Sequence, residues 1–312
     1  MCIRDRSEPI ISVNEFRKRY GAFVAVDGIT FHVDRGEIFG LLGPNGAGKT
    51  TTLECLEGIR TPDGGTLRVA GVDPTHDRRG LRSAIGVQLQ SSGMPESITP
   101  DEAMKLFCAY HGAPPRYDLL DRLGLGAKRK TQFHELSTGQ QRRLALALAV
   151  AHEPRVVFLD EPTAGLDVQT RVELHALMRE LKAAGTTIIL ATHDMAEAEE
   201  MADRVAILLG GRIVAAGTPI QLTATGAGLT KVSIHTAEGR LLAGDHSFPA
   251  VAQRTTKGDY AIYYSTDIGR TVGALIEAIA AAGDTLIDLR VERPSLEDRF
   301  LELTDARSGN GR

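Results

Sequence analysis

Residues 43 to 50 read GPNGAGKT, directly after the apolar run Glu37-Ile38-Phe39-Gly40-Leu41-Leu42. No other stretch constrains the chain so strongly. A polyphosphate carries several negative charges and must be gripped at close range. Glycines at 43, 46 and 48 let successive backbone N–H groups curl inward as a nest for anions. The pattern G-x-x-x-x-G-K-[ST] then places Lys49 within reach of the outer phosphates. The Thr50 hydroxyl becomes a ligand for Mg²⁺, and the helix that follows points its positive end at the phosphates. A short apolar strand before the loop and a helix after it supply the required context.

A second pattern supports the first. Val156–Leu159 is a continuous apolar run, as expected of an interior parallel strand, and it ends in Asp160-Glu161-Pro162. Two carboxylates at the end of a buried strand are costly unless they are paired or bind metal. Asp160 can hold Mg²⁺ directly or through water, and Glu161 is placed to polarise an attacking water as general base. Residues 136 to 140, LSTGQ, stand just before the apolar run Leu144–Val150. Ser137 or Thr138 can cap that helix. The same helix start can hold an anion, so the segment reads either as a cap or as half of a phosphate site.

The periodicity along the chain sets the fold class. Ile10–Val33 alternates β-branched and aromatic residues around a Tyr20-Gly21 turn and predicts two or three antiparallel strands. Ala103–Tyr110 and Asp118–Leu123 predict short helices, and Gly139–Ala151 a helix apolar almost all round. Val168–Ala184 reads as an amphipathic helix and Thr186–Ala191 as a buried strand. Val205–Leu209 and Arg212–Ala215 flank Gly210-Gly211 as a hairpin. Strands alternating with helices imply a parallel sheet. The composition changes after Gly217, and Thr223–Gly228 reads as a linker. Beyond it, strands at Lys231–His235, Tyr260–Ser265 and Leu286–Val291 and helices at Thr271–Ala282 and Ser295–Leu303 suffice for a small α+β domain. Its carboxylates, His235 and His246 read as solvated surface groups, and a role in dimer contact or regulation is expected of it.

At 312 residues the chain exceeds one average domain of roughly 100–200 residues. A net charge of −4 argues against nonspecific nucleic-acid binding. The three cysteines, Cys2, Cys55 and Cys108, have no metal-type spacing and fit reduced thiols in a cytoplasm; Cys55 reads as a small buried hydrophobe. No apolar stretch approaches the about 20 residues of a membrane span, and no signal peptide is visible. Residues 1–8 match neither helix nor strand and are expected to be disordered or foreign to the native protein.

The ordered set GPNGAGKT, Gln90, LSTGQ, FLDEP, AGLD and His193 resembles the ATP-binding subunit of an ABC transporter. The resemblance covers roughly residues 9–220. It implies an α/β fold: a P-loop NTPase parallel sheet with an N-terminal antiparallel β subdomain and a helical subdomain at about 91–152. Together these would make an ATPase domain at 9–222, with the accessory domain at 229–305. It implies ATP and Mg²⁺ as ligands. Gly43, Pro44, Asn45, Gly46, Ala47, Gly48, Lys49, Thr50 and Thr51 would wrap the phosphates, with Val26 also a nucleotide contact. Tyr20 matches the aromatic residue that stacks on adenine, although a core or turn tyrosine would read the same. Gln90 matches the glutamine that senses Mg²⁺ and contacts the membrane partner, with Gln88 a nearby competitor. Thr50, Gln90 and Asp160 would form the metal set, and Lys49, Glu161 and His193 the catalytic set. His193 matches the histidine that contacts the γ-phosphate, and Asp167 the loop that crosses the dimer.

In such subunits LSTGQ binds the γ-phosphate held by a second copy, through Ser137 and Gly139, with Thr138 and Gln140 beside them. Thr138 stands where the commonest pattern has glycine. A β-branched residue is tolerated there only in a helical or extended backbone. The implied partners are a second copy and an integral membrane permease, with no nucleic acid. The implied location is the cytoplasmic face of the membrane. The end of the chain, PSLEDRFLELT, resembles the tail of subunits from a drug- and polysaccharide-export branch. An importer subunit and a soluble ABC protein are the rival readings. The chain has one cassette and no heptad run, which argues against the soluble protein, and the tail argues against the importer.

Overall fold

Two antiparallel strands come first, β1 (Ile11–Tyr20) and β2 (Phe23–Val33), and a later strand, β4 (Gly64–Val69), joins the other side of β1 to give the order β2-β1-β4. The computed structural model describes residues 8–88, 93–224, 229–240, 247–292 and 294–309. Residues 1–7, Gln90 and His246 therefore lie outside the described residues. The chain divides into two compact units, Met1–Pro219 and Ile220–Arg312.

The first unit is built on a six-stranded sheet of order β5-β6-β7-β3-β8-β9. Its strands are β3 (Ile38–Leu42), β5 (Ile85–Gln88), β6 (Val156–Asp160), β7 (Thr187–Thr192), β8 (Arg204–Leu209) and β9 (Arg212–Gly217). All are parallel except β9, which returns through the Gly210-Gly211 turn. Strands β3, β6 and β7 are buried at every residue, as strands covered on both faces must be. Their register is level. Leu42 pairs with Thr192 and Asp160 with Ala191, so three strands end side by side. In open α/β sheets, ligands sit beyond such carboxyl ends.

Helices α1 (Lys49–Leu56), α2 (Arg78–Ala84), α3 (Pro100–Tyr110), α4 (Tyr117–Arg122), α5 (Thr138–Val150), α6 (Val168–Ala183) and α7 (Met195–Met201) connect the strands. The small sheet packs on the large one through Phe31 and Phe39, whose rings stack at 5.3 Å. Cys55 is fully buried in this core, and burial pushes its thiol up to about 12.

In the second unit, α8 (Pro219–Ala224) precedes β10 (Thr230–Thr236), β11 (Val251–Lys257), β12 (Tyr260–Ser265), α9 (Ile268–Ala281), β13 (Leu286–Glu292) and α10 (Leu296–Gly309). The four strands form an antiparallel sheet of order β11-β12-β10-β13. Val232, Ile234 and Tyr263 pack with Leu275 and Ile279 of α9 as a separate core. His235 departs from the solvated surface group expected: it is half-buried, with its ring 5.3 Å from that of Tyr260. Tyr260 in turn donates to Asp288.

One close approach fixes the position of α5. A Cβ on Gly86 in β5 would lie 1.9 Å from the Ala149 carbonyl oxygen and 3.0 Å from Pro154. Only glycine lets helix and strand meet there. Gly86→Ala must push α5 off the sheet and is expected to cost about 1–3 kcal/mol or more. Thermal denaturation should show a lowered Tm; an unchanged Tm would refute this contact.

Candidate functional site

The phosphate loop leaves β3 at Gly43 and enters α1 at Lys49. Two of its glycines have no substitute. Gly43 sits at φ 153°, and a Cβ there would meet the Leu208 carbonyl oxygen at 2.4 Å. Gly48 sits at φ 106°, with the Ala25 carbonyl oxygen 2.6 Å from the place a Cβ would take. The Ala47 carbonyl accepts from the Gly211 N–H at 3.2 Å, which ties the loop to the β8–β9 turn. Among the described residues no side chain caps α1, which leaves its first N–H groups available to an anion.

Lys49 is 5% exposed, and its Nζ donates to the carbonyls of Gly43 at 2.7 Å and Pro44 at 3.2 Å. Burial pulls its pKa down, and the nearby charges of Glu161 and Asp160 hold it up. The Thr50 hydroxyl donates to Asp160 Oδ2 at 2.9 Å. The other oxygen, Asp160 Oδ1, is buried without a hydrogen-bond partner among the described residues. Burial raises the Asp160 pKa; the Thr50 bond and Lys49 oppose this, and Glu161 adds to it. A hydroxyl and a carboxylate in contact, with one oxygen orphaned, is a donor set that fits Mg²⁺.

Glu161 follows at the end of β6 with φ 48°, a backbone state that costs about 1–3 kcal/mol outside glycine. Its N–H donates to the Ala191 carbonyl at 2.8 Å. Its Oε1 lies 2.9 Å from Nδ1 of His193, which extends β7 and is half exposed. Arg142 of α5 donates to the Glu161 carbonyl. Sequence reasoning did not single out Arg142, because its partner is a main-chain atom 19 residues away.

A cleft of about 290 Å³ joins these parts, lined by Tyr20, Phe23, Ala25, Asn45, Gly46, Gly48, Lys49, Thr50, Thr51 and Glu161. Tyr20 and Phe23 pair across the β1–β2 turn and are 38% and 60% exposed, so they offer flat apolar faces at the rim. Phe23 went unnoticed in the sequence, where it reads as an ordinary strand residue. Val26 is fully buried behind the loop and does not line the cleft.

The segment 137–140 does not line this cleft either. Ser137 caps α5: it accepts from the Gln140 N–H at 3.3 Å, while Gln140 Oε1 accepts from the Ser137 N–H at 3.0 Å. Ser137 and Thr138 are exposed. Thr138 is the first helical residue and avoids positive φ, so its branched Cβ carries no strain. Asp167 caps α6, with both carboxylate oxygens on Thr170, at 2.8 Å from its N–H and 2.9 Å from its hydroxyl. Those bonds hold its pKa below the usual value. Gln88 ends β5 opposite Leu159, 3% exposed and with Oε1 unpartnered among the described residues.

A glycine loop, a lysine, a Thr–Asp pair and a Glu–His pair at the ends of three parallel strands define a P-loop nucleoside-triphosphatase. The ABC transporter sequence pattern matches residues 26–164. The chain is 39% identical over 308 residues to Nod factor export ATP-binding protein I of Paraburkholderia xenovorans, covering 95% of this chain and 97% of that protein. It is 33% identical over 306 residues to daunorubicin resistance ATP-binding protein DrrA3 of Streptomyces coeruleorubidus, covering 96% of each. Among solved structures, an ATP-binding subunit of an ABC transporter superposes with a TM-score of 0.65 at 29% identity, over 69% of this chain and 92% of that one. The cbiO1 subunit from Clostridium perfringens gives 0.62 at 31% identity, over 70% and 92%. The chain belongs to the ABC transporter family and is an ATP-binding, ATP-hydrolysing subunit of that class.

The buried Asp160 charge is a cost to the free protein. Its raised pKa means that the stability of the free chain falls as pH rises through the carboxylate range. Asp160→Asn should therefore leave the Tm of the nucleotide-free protein unchanged or higher at neutral pH. The same variant should lose the Tm rise on adding Mg²⁺ and ATP. A nucleotide-free Asp160→Asn protein that melts well below wild type would show that the carboxylate serves stability.

Proposed function

We propose that the chain powers export through a separate membrane permease, by closing as a dimer around ATP and then hydrolysing it. The observation that carries this reading is the separation of two phosphate-binding parts. Lys49 and the loop line one cleft, while the exposed start of α5 at Ser137 lies outside it. Each would serve half of a site completed by a second copy. Gly43–Thr51 hold the triphosphate of one ATP, and Ser137, Thr138, Gly139 and Gln140 of a second copy cover its γ-phosphate. Tyr20, with Phe23 beside it, provides the surface for the base.

On binding, Lys49 exchanges the carbonyls of Gly43 and Pro44 for phosphate oxygens. Thr50 and Asp160 would hold Mg²⁺, with Gln90 as a further ligand; the ion offsets charge on the phosphate oxygens. Glu161 takes a proton from the attacking water, and His193 holds its carboxylate through Oε1. Loss of the γ-phosphate removes the bridge between the copies, and the dimer opens. The C-terminal unit is read as supporting dimer contact or regulation.

Export, rather than import, is favoured by the relatives named for Nod factor export and daunorubicin resistance. A permease partner is favoured by an apolar groove of about 350 Å³ in the first unit, lined by Ile59, Ile85, Val87, Met94, Phe107 and Leu148 among others. Among the described residues no helix is long and apolar enough to cross a membrane. Attachment at the cytoplasmic face would then run through that partner.

Glu161→Gln keeps the shape and removes the base. Turnover should fall by about 10²-fold or more, while ATP-dependent dimers accumulate in light scattering. Hydrolysis at the wild-type rate would remove Glu161 from the catalytic role. Tagged wild-type protein solubilised from membranes should also retain one integral protein with several spans.

A further inference from the structure

A ladder of charged side chains joins α6 to α7 and to Asp203 just after it. His175, Arg179 and Lys182 follow one another about one turn apart on α6, so they share a face. Each meets an acid. His175 Nε2 lies 3.4 Å from Oε1 of Glu197. Arg179 donates to Glu200 at 2.5 Å, and Lys182 to Asp203 at 2.5 Å. The other ring nitrogen, His175 Nδ1, is 3.6 Å from Glu200 Oε2.

The rungs differ in burial. The two outer ones are open to solvent, where an ion pair contributes little. His175 and Glu197 are only 4% and 3% exposed. Glu197 Oε2 is buried with no hydrogen-bond partner among the described residues. A pair of this kind is a poor source of stability, because well-packed apolar side chains of like volume would serve as well or better. Its best-attested use is to fix register.

The chain shows what is being registered. α7 starts directly after His193-Asp194. Asp194 caps it by accepting from the Glu197 N–H at 3.0 Å, and the Asp194 N–H donates to the Thr192 hydroxyl at 3.0 Å. The main chain of Glu197 thus closes the turn that carries His193, and its side chain ties that turn to α6. His193 Nδ1 stands 2.9 Å from Oε1 of Glu161. Neither His175 nor Glu197 lines the cleft at the phosphate loop.

We propose that His175 and Glu197 are positioning residues for ATP hydrolysis, whose buried contact sets the turn bearing His193 where it can hold Glu161. This rests on reading Glu161 and His193 as the catalytic pair. Without the contact, α7 keeps its cap and its buried Met195, Ala198 and Met201. Apolar contact has no direction, so the helix can then slide or turn on α6 and carry His193 with it. A misplacement of about 1 Å at a reacting centre can lower a rate about 10²-fold.

The test compares basal ATP hydrolysis and melting of the full chain for His175→Leu, for Glu197→Met and for both together. Each single change leaves the other partner buried and unanswered and should lower Tm. The double change puts apolar groups of similar volume in place of the pair and should return Tm to the wild-type value or above it. Turnover should not return with it. The double variant should show kcat about tenfold or more below wild type, with KM for ATP within about twofold, as for a contact that matters only in the chemical step. Glu197→Gln keeps the side chain's size and an amide that can meet either tautomer of the ring, and should keep most of the turnover.

Two backgrounds show where the pair acts. In Glu161→Gln protein, ATP-dependent dimers should accumulate with or without the double change. In His193→Ala protein, single-turnover hydrolysis should fall no further when the double change is added, because the pair works through His193. The proposal is overturned by a double variant that turns over at the wild-type rate, melts well below wild type, loses the dimers or slows His193→Ala further. A Glu197→Gln protein as slow as the double variant would also overturn it. Hydrolysis at the wild-type rate by His193→Ala alone would instead remove the catalytic pair on which the proposal rests.

Discussion

The hydrogen bond from Thr50 to Asp160 ties the loop after β3 to the end of β6, across a strand that lies between them. It forms only because Leu42 pairs with Thr192 and Asp160 with Ala191. A slip of one residue between β6 and β7 would turn Asp160 to the other face of the sheet, and a slip between β3 and β7 would displace the loop from it. Register in a sheet buried on both faces is set by side-chain packing, so the apolar residues of β3, β6 and β7 decide where the polar ones stand. The geometry of the site is in this sense a consequence of the core.

The cost of the site is also concentrated there. Glu161 holds a positive φ, Asp160 keeps a buried oxygen unpartnered, and Lys49 spends its protons on the carbonyls of its own loop. A ligand with negative oxygens would give the Lys49 protons new acceptors, and a cation would partner the orphaned Asp160 oxygen. A ligand that removes such costs binds more tightly than its new contacts alone suggest. It also stabilises the folded state in proportion to its saturation. The positive φ of Glu161 and the orphaned oxygen of Asp160 stand side by side at the end of β6, as a site that works by exchange of partners requires.

Most elements of the fold could be read from the sequence, because β3, β6 and β7 are uninterrupted apolar runs and α5 and α6 are long. Several that could not be read share a cause. β4 begins with two glycines, β5 carries Gly86, and α2 is seven residues rich in arginine. β11, VAQRTTK, lies at a sheet edge with a polar, half-exposed pattern. In each, the local signal is weak and tertiary contact decides. The residues on short motifs, Lys49, Thr50, Asp160 and Glu161, were visible because their chemistry is unusual for their setting. Phe23 and Arg142 were not: an exposed aromatic in a strand and an arginine bonded to a carbonyl have no sequence signature. Val26 shows the reverse case, a residue implied by resemblance that is buried behind the wall it was expected to form.

Helix α5 brings these threads together. Its Ala145, Leu148 and Ala149 line the apolar groove, its Arg142 holds the carbonyl of Glu161, and Ser137 caps its N-terminus. Thirteen residues of helix span about 20 Å, and a helix of that length packed against β5 moves as a body. Close packing transmits a push without absorbing it. A displacement of α5 at the groove would therefore reach the main chain of Glu161 and the exposed segment at Ser137 together. One helix thus touches the apolar groove, the main chain of Glu161 and the exposed segment at Ser137.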